Sequence, residues 1–196
     1  MSDPSAECPE ATGFVLAGGK SRRFGEDKAL FPVNGEPLIR RPVACLTALA
    51  PSVAIVAKHP STYAALDVPV EKDAYPQQMP HVGILTGLGA AETAWSIFLA
   101  CDMPAMTPAV VRTLYEARGS GEETVAVQAV VAESPSGVHP LVGCYHRAAM
   151  KTLRRAIDNE WSLRKGLSAL NTRVVSFGDE GPFRNVNRKS DLPEES

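Results

Sequence analysis

The chain has 196 residues, 44% of them hydrophobic and 21% charged, with a formal net charge of −2. That length and balance fit one globular domain and exclude both a disordered chain and a broad basic surface for nucleic-acid backbones. No apolar run reaches the ~18 residues of a membrane helix, and Cys8, Cys45, Cys101 and Cys144 are too dispersed for a zinc ribbon or a disulfide scaffold, which favours reduced thiols in a cytoplasmic protein.

Residues 1–10 are polar and acidic, with no secretory h-region, and read as a disordered lead-in to a single domain over 11–196. Residues 12–16 form an apolar run, a candidate buried strand, and 17–28 a Gly-rich, charged loop. Asn34-Gly35 signals a turn. Pro37 suits the first turn of a helix running to about residue 49. Strands are expected over 52–57 and 68–71, then a polar loop over 73–80 and a helix over 84–93 that contains Gly87 and Gly89. Residues 96–101 are a further apolar strand, ending at Asp102. Thr107 and Pro108 read as an N-cap and N1 pair, followed by a stripe of Val110, Val111, Leu114 and Tyr115 at helical spacing. Strands over 124–131, 141–145 and 173–177 bracket an amphipathic stretch at 148–157, and 183–192 reads as polar surface. Apolar strands alternating with helices indicate a largely parallel sheet covered on both faces, an α/β fold in three layers. Ligands in such folds bind at the C-terminal strand ends near the topological switch, which selects residues 17–28, Asp73 and Asp102.

The first of these loops carries the clearest chemistry. Gly18, Gly19 and Gly25 permit close backbone approach, successive N–H groups can form an anion nest, and Arg22, Arg23 and Lys28 add cations. The composition is that of a polyphosphate cradle. Gly19-Lys20-Ser21 imitates the tail of a Walker A motif, but the glycine which that motif needs at position 14 is Phe14. No G-x-G-x-x-G occurs.

The run L-A-G-G-K-S-R-R-F-G-E-D-K at 16–28 resembles the signature loop of the molybdenum cofactor guanylyltransferase (MobA) family, L-A-G-G-x-S-x-R-[FM]-G-x-D-K. Further segments match in order: Glu71-Lys72-Asp73, Gly83-Ile84 through Leu88, Cys101-Asp102-Met103-Pro104, His139-Pro140-Leu141 with Gly143 and Tyr145, and Phe183-Arg184-Asn185-Val186-Asn187. The resemblance spans about residues 13–192. It implies a three-layer α/β/α Rossmann-like sandwich of the nucleotide-diphospho-sugar transferase type. It also implies transfer of GMP from GTP to the terminal phosphate of molybdenum-molybdopterin, with release of pyrophosphate. Transient contact with cofactor-insertion proteins or molybdoenzymes follows from the same resemblance.

Asp102 ends an apolar strand and is a hard-oxygen ligand suited to Mg²⁺; capping the next helix is its other possible role, though Thr107 already fills it. By resemblance, Arg22 and Lys28 stabilise charge on the α-phosphate and leaving pyrophosphate. Leu16, Ala17 and Gly18 hold guanine and ribose through backbone groups. Gly19 favours GTP, because related cytidylyltransferases carry L-A-A-G there. Asp73 is either a nucleotide contact or an exposed loop carboxylate. Asn185 and Asn187 either reach the pterin side or serve as turn residues. His139 may only cap the strand at Pro140, while His59, His81 and His146 read as surface or satisfied histidines and Cys101 as a small packing residue. Two departures stand out: Met79-Pro80-His81-Val82 replaces the family's G-P-L, and the second strand ends without the family's Asn. The competing readings are a cytidylyltransferase or another small-metabolite nucleotidyltransferase, and a nucleotide-binding partner that has lost turnover.

Overall fold

All seven residues of the first strand, β1 (Ala11–Ala17), are buried. A strand buried on both faces belongs inside a sheet with layers above and below it. The computed structural model describes residues 7–18, 27–73, 75, 77, 79–119, 127–187 and 191. After β1 come the two-residue strands β2 (Pro32–Val33) and β3 (Glu36–Pro37), helix α1 (Arg40–Thr47), β4 (Ser52–Ala57) and β5 (Val70–Lys72). Helix α2 (Pro80–Ala90), β6 (Trp95–Ala100) and α3 (Pro108–Glu116) follow. The remaining elements are β7 (Ala129–Ser134), β8 (Gly137–His146), α4 (Met150–Asp158), α5 (Leu163–Ser168) and β9 (Thr172–Ser176).

The main sheet has seven strands in the order β5-β4-β1-β6-β8-β7-β9. The first four are parallel, β8 runs antiparallel to both β6 and β7, and β9 is parallel to β7. The sheet is largely parallel, as expected, and mixed through β8, which runs against both of its neighbours. Successive residues of each strand feed two separate cores, as a period of two requires. Val15, Ile55 and Ile97 pack with Leu46 of α1 and Val111 and Leu114 of α3 on one face. Phe14, Val56 and Phe98 pack with Ile84 and Leu88 of α2, Leu153 of α4 and Leu167 of α5 on the other. Three layers result.

Several boundaries move for identifiable reasons. Pro37 is not helical. Asn34 and Gly35 both have positive φ, 53° and 80°, the requirement of a two-residue hairpin turn. That turn pairs Pro37 with Pro32, so α1 starts only at Arg40. Helix α2 begins at Pro80 rather than 84, with Pro at N1 and His81 and Val82 fully buried behind it. Strand β8 is twice the expected length and contains Pro140. The β7–β8 register shifts between Val131 and Ala132, so Pro140 lies at a bulge where its missing N–H breaks no rung. Strand β7 runs to Ser134 rather than 131; positions 124–126 of that expectation lie outside the described residues. Residues 7–10 do not behave as a lead-in: Cys8 is fully buried and its N–H donates to the Leu49 carbonyl at 2.9 Å. The polar stretch after 183 is anchored by Phe183 and Val186, which are 1% and 3% exposed.

Candidate active site

The order of strands reverses between β1 and β6, and Lys28 and Asp102 follow those two strands. This is the topological switch, where open α/β sheets hold ligands. Lys28 opens a 3-10 turn (Lys28–Leu30) capped by Asp27, whose Oδ1 accepts from the Ala29 N–H at 3.0 Å. The buried Tyr63 hydroxyl donates to Asp27 Oδ2 at 2.7 Å. Asp27 is thus held on both oxygens, and the turn that aims Lys28 is held with it. Lys28 Nζ donates to Asp102 Oδ2 at 2.8 Å and to Asn187 Oδ1 at 3.4 Å. The Lys28 and Asp102 side chains are only 15% and 23% exposed, so their attraction is screened less than that of a surface pair.

Asn187 reaches this point by tertiary packing. The Val186 N–H donates to the Asp102 carbonyl at 2.9 Å, and the Val186 side chain is buried with Val33 and Leu38. The segment is pinned to the end of β6 from both sides, and the Asn187 N–H is accepted by Asp191 at 2.8 Å. Three residues far apart in the chain, Lys28, Asp102 and Asn187, therefore form one polar cluster.

The other expected residues take different positions. The Leu16 carbonyl accepts from the Cys101 N–H at 3.2 Å, and Leu16 pairs with both Val56 and Ala100. The β6 register stops there, so Ala17 pairs only with Ala57, and none of the described residues comes within 4 Å of where a Cβ on Gly18 would lie. Asp73 follows β5; its N–H donates to the Ala57 carbonyl at 2.9 Å, and its Oδ1 accepts from the Thr86 hydroxyl of α2 at 3.0 Å. Burial raises the Asp73 carboxyl above its ordinary value, with Thr86, Lys58 and the Tyr75 backbone pulling it back. Asn185 is exposed and lines a cavity beside Asn187. Gly19, Arg22 and Arg23 lie outside the described residues.

Two readings are corrected. His81 is fully buried, and among the described residues neither ring nitrogen has a hydrogen-bond partner. It is neither a surface nor a satisfied histidine, and burial pushes its pKa down. His139 does more than cap a strand: it stacks on Phe183 at 4.9 Å and contacts Ser134 Oγ through Nε2 at 2.7 Å. Gly143, part of the resembling motif, has a packing role. A Cβ there would sit 2.2 Å from the Val130 carbonyl oxygen. Sequence reasoning missed Asp27, Tyr63, Ser134, Ser136 and Glu180. Of these only Asp27 left a trace, as an Asp two residues before the N–H it caps; nothing local marks the others.

Among the described residues no three His, Cys, Asp or Glu side chains gather as a metal cage. Mg²⁺ is commonly held by one or two carboxylates together with substrate phosphates and water. Asp102, a single carboxylate beside a cation, fits a metal arriving with a nucleotide rather than a resident one.

A lysine and a hard carboxylate at the switch point of an open α/β sheet are groups suited to a phosphate-bearing ligand at the place where Rossmann-like folds bind one. The profile of the MobA-like NTP transferase domain matches residues 13–174. The molybdenum cofactor guanylyltransferase of Serratia proteamaculans is 30% identical over 190 residues, covering 93% of this chain and 92% of that protein. A probable molybdenum cofactor guanylyltransferase of a Geobacillus species is 32% identical, covering 92% and 95%. The solved structure of molybdopterin-guanine dinucleotide biosynthesis protein A from Archaeoglobus fulgidus shares the fold, with a TM-score of 0.77 at 22% identity over 92% of this chain and 94% of that one. The chain belongs to the MobA-like NTP transferase domain family.

Proposed function

We propose that this protein is a Mg²⁺-dependent guanylyltransferase that moves GMP from GTP onto the terminal phosphate of molybdenum-bound molybdopterin. The convergence of Lys28, Asp102 and Asn187 at the switch point carries this reading, together with the named relatives. An acceptor phosphate oxygen attacks the α-phosphorus of GTP. A new P–O bond forms, the bond to the bridging oxygen toward the β-phosphate breaks, and pyrophosphate leaves with the electron pair. Lys28 neutralises charge that grows on the α-phosphate and leaving group, a task of positioning and electrostatics rather than covalent catalysis. Asp102 would hold Mg²⁺, which would supply Lewis-acid neutralisation of phosphate oxygens. Ala17 and Gly18 offer backbone groups to guanine and ribose. Asp73, set by Thr86, faces the nucleotide, and Asn185 and Asn187 face the acceptor. Arg22 shares the work of Lys28, and Gly19 favours guanine over cytosine. The protein acts in the cytoplasm, passing its product by brief contact to insertion proteins or molybdoenzymes.

Calorimetric titration with GTP, CTP, ATP and UTP, each with and without Mg²⁺, tests the nucleotide and the metal together. Selective, Mg²⁺-enhanced GTP binding is expected. Selective CTP binding would replace this reading by a cytidylyltransferase. Pyrophosphate release with GTP and molybdenum-loaded molybdopterin tests the transfer, and its absence despite GTP binding would point to a silent nucleotide-binding protein.

A further inference from the structure

Next to Asn187 the structure holds a cavity of about 450 Å³, lined by Ser136, His139, Glu180, Phe183, Asn185 and Asn187 among others. Its volume is in the range of small-molecule sites. One wall is a hydrogen-bonded network whose protons can be traced one by one. Glu180 is ionised, because hydrogen bonds from Ser134 and Ser136 hold its carboxyl below the ordinary value, and an ionised carboxylate only accepts. Ser134 Oγ lies 2.6 Å from Glu180 Oε2, and Ser136 Oγ lies 2.8 Å from Oε1. Oxygens that close need a proton between them, so each hydroxyl spends its single proton on Glu180, and the longer 3.0 Å approach of the two serine oxygens carries none. The 2.7 Å contact between Ser134 Oγ and His139 Nε2 must then take its proton from the ring. Nε2 carries the hydrogen, and in the neutral imidazole Nδ1 is left as an acceptor.

The ring is fixed in orientation as well as in tautomer. It stacks on Phe183 at 4.9 Å with 20° between planes, and Phe183 is itself 1% exposed and packed on Phe177 at 5.3 Å. Burial holds the imidazole below its ordinary pKa, against the pull of Glu180, which keeps it neutral near pH 7.

We propose that this cavity seats the flat heterocycle of the acceptor substrate, and that Glu180, acting through Ser134, holds His139 as the Nε2–H tautomer so that Nδ1 accepts a hydrogen bond from that ring. His139 then selects a ligand rich in N–H donors, as a pterin is, and the same orientation sets the acceptor's phosphate toward the Lys28–Asp102 pair by way of Asn187. Glu180 and Ser134 are positioning residues that act on the ligand through His139. The inference rests on the guanylyltransferase reading for the identity of the acceptor; the tautomer does not depend on it.

Two measurements test it. The first is long-range ¹H–¹⁵N correlation of the histidine rings, with His139 identified by its loss in His139→Gln. A pyrrole-type Nε2 and a pyridine-type Nδ1 are expected. Glu180→Ala removes both acceptor oxygens, whereas a glutamine could still turn its amide oxygen to Ser134. It frees the Ser134 proton for Nε2 and should move the ring proton to Nδ1. A protonated Nδ1 in the wild-type protein, or an unchanged pattern in Glu180→Ala, overturns the network. The second is equilibrium binding of a fluorescent oxidised pterin with a phosphorylated side chain, alongside GTP. His139→Ala should weaken the pterin roughly 5–10-fold, the scale of one hydrogen bond, while GTP affinity stays within about twofold. Ser134→Ala should weaken it less, and folding of each variant is read from retained GTP binding. Pterin affinity indifferent to His139→Ala, or an equal loss of GTP, overturns the assignment of the cavity. A wild-type chain that binds GTP and not the pterin overturns this inference alone; one that binds neither overturns the functional reading with it.

Discussion

The two halves of the sheet build their parts of the site by different physics. On the parallel side, the segments after β1 and β6 present charge at the switch point, where Lys28 meets Asp102 at 2.8 Å. On the other side, the β7–β8 hairpin and the segment after β9 build a wall of neutral and ionised hydrogen-bonding groups around His139. Charge at a strand end needs only a short local motif and an ion pair to hold it. A hydrogen-bonded wall needs four residues from two distant segments to agree on distances and proton positions at once. On the proposed reading the first half neutralises phosphate and the second recognises a shape and a pattern of donors.

Removing the charged pair should break this comparison most severely. Asp102→Asn and Lys28→Ala are each expected to lower steady-state turnover by at least ~10²-fold, the scale of one key electrostatic group, while the protein still unfolds cooperatively. Near-wild-type turnover of Asp102→Asn would remove Asp102 from the phosphate chemistry. Gly143→Ala strikes the opposite half through backbone. The added methyl would meet a carbonyl oxygen at 2.2 Å, so a loss of at least ~3 kcal/mol in denaturant unfolding is expected. Gly87→Ala is the matched probe in α2. Its methyl would meet the Phe98 ring at 2.6 Å, a side chain that can shift, and ~1–3 kcal/mol is expected.

Tyr63→Phe sharpens the comparison within the charged half. It removes only the hydroxyl that grips Asp27, and a fall of about tenfold in turnover is expected, the worth of one hydrogen bond to a carboxylate. Unchanged turnover would mean that the Tyr63–Asp27 contact does not set the position of Lys28. The smallest effect is a gain. His81→Leu replaces an imidazole with no partner among the described residues for either nitrogen by an apolar side chain, and a stabilisation of ~1–3 kcal/mol is expected, read as a Tm several degrees higher. The sign of its pH dependence follows from burial. The folded chain resists protonating His81, the unfolded chain does not, and stability is lost as pH falls below about 6.5. The Leu variant should show a shallower fall of Tm between about pH 6.5 and 5.

Much of the charged half was legible in the residues themselves. Apolar runs named β4 and β6 to within a residue, Thr107-Pro108 named the start of α3, and the Gly-rich loop and Asp102 stood where strand ends would carry a ligand. The hairpin β2–β3 was half legible: Asn34-Gly35 announced a turn, but Pro37 reads equally as a helix N1 or the end of a strand, and only pairing with Pro32 decides between them. The acceptor half left few local marks. Ser134, Ser136 and Glu180 are ordinary polar residues in sequence, and Phe183 and Val186 read as part of a polar surface stretch because two apolar residues among polar neighbours have no period to betray their burial.

The division has a single physical reason. Hydrophobic periodicity, caps, turn residues and the resemblance of short motifs are local, and they determined that this chain makes a layered α/β nucleotidyltransferase with its chemistry after the first and sixth strands. Which strands run antiparallel, that Asn187 reaches Lys28 across 159 positions, and which nitrogen of His139 carries a proton depend on groups brought together from distant segments. Those contacts exist only once the sheet has closed its order and the last segment has docked against the end of β6.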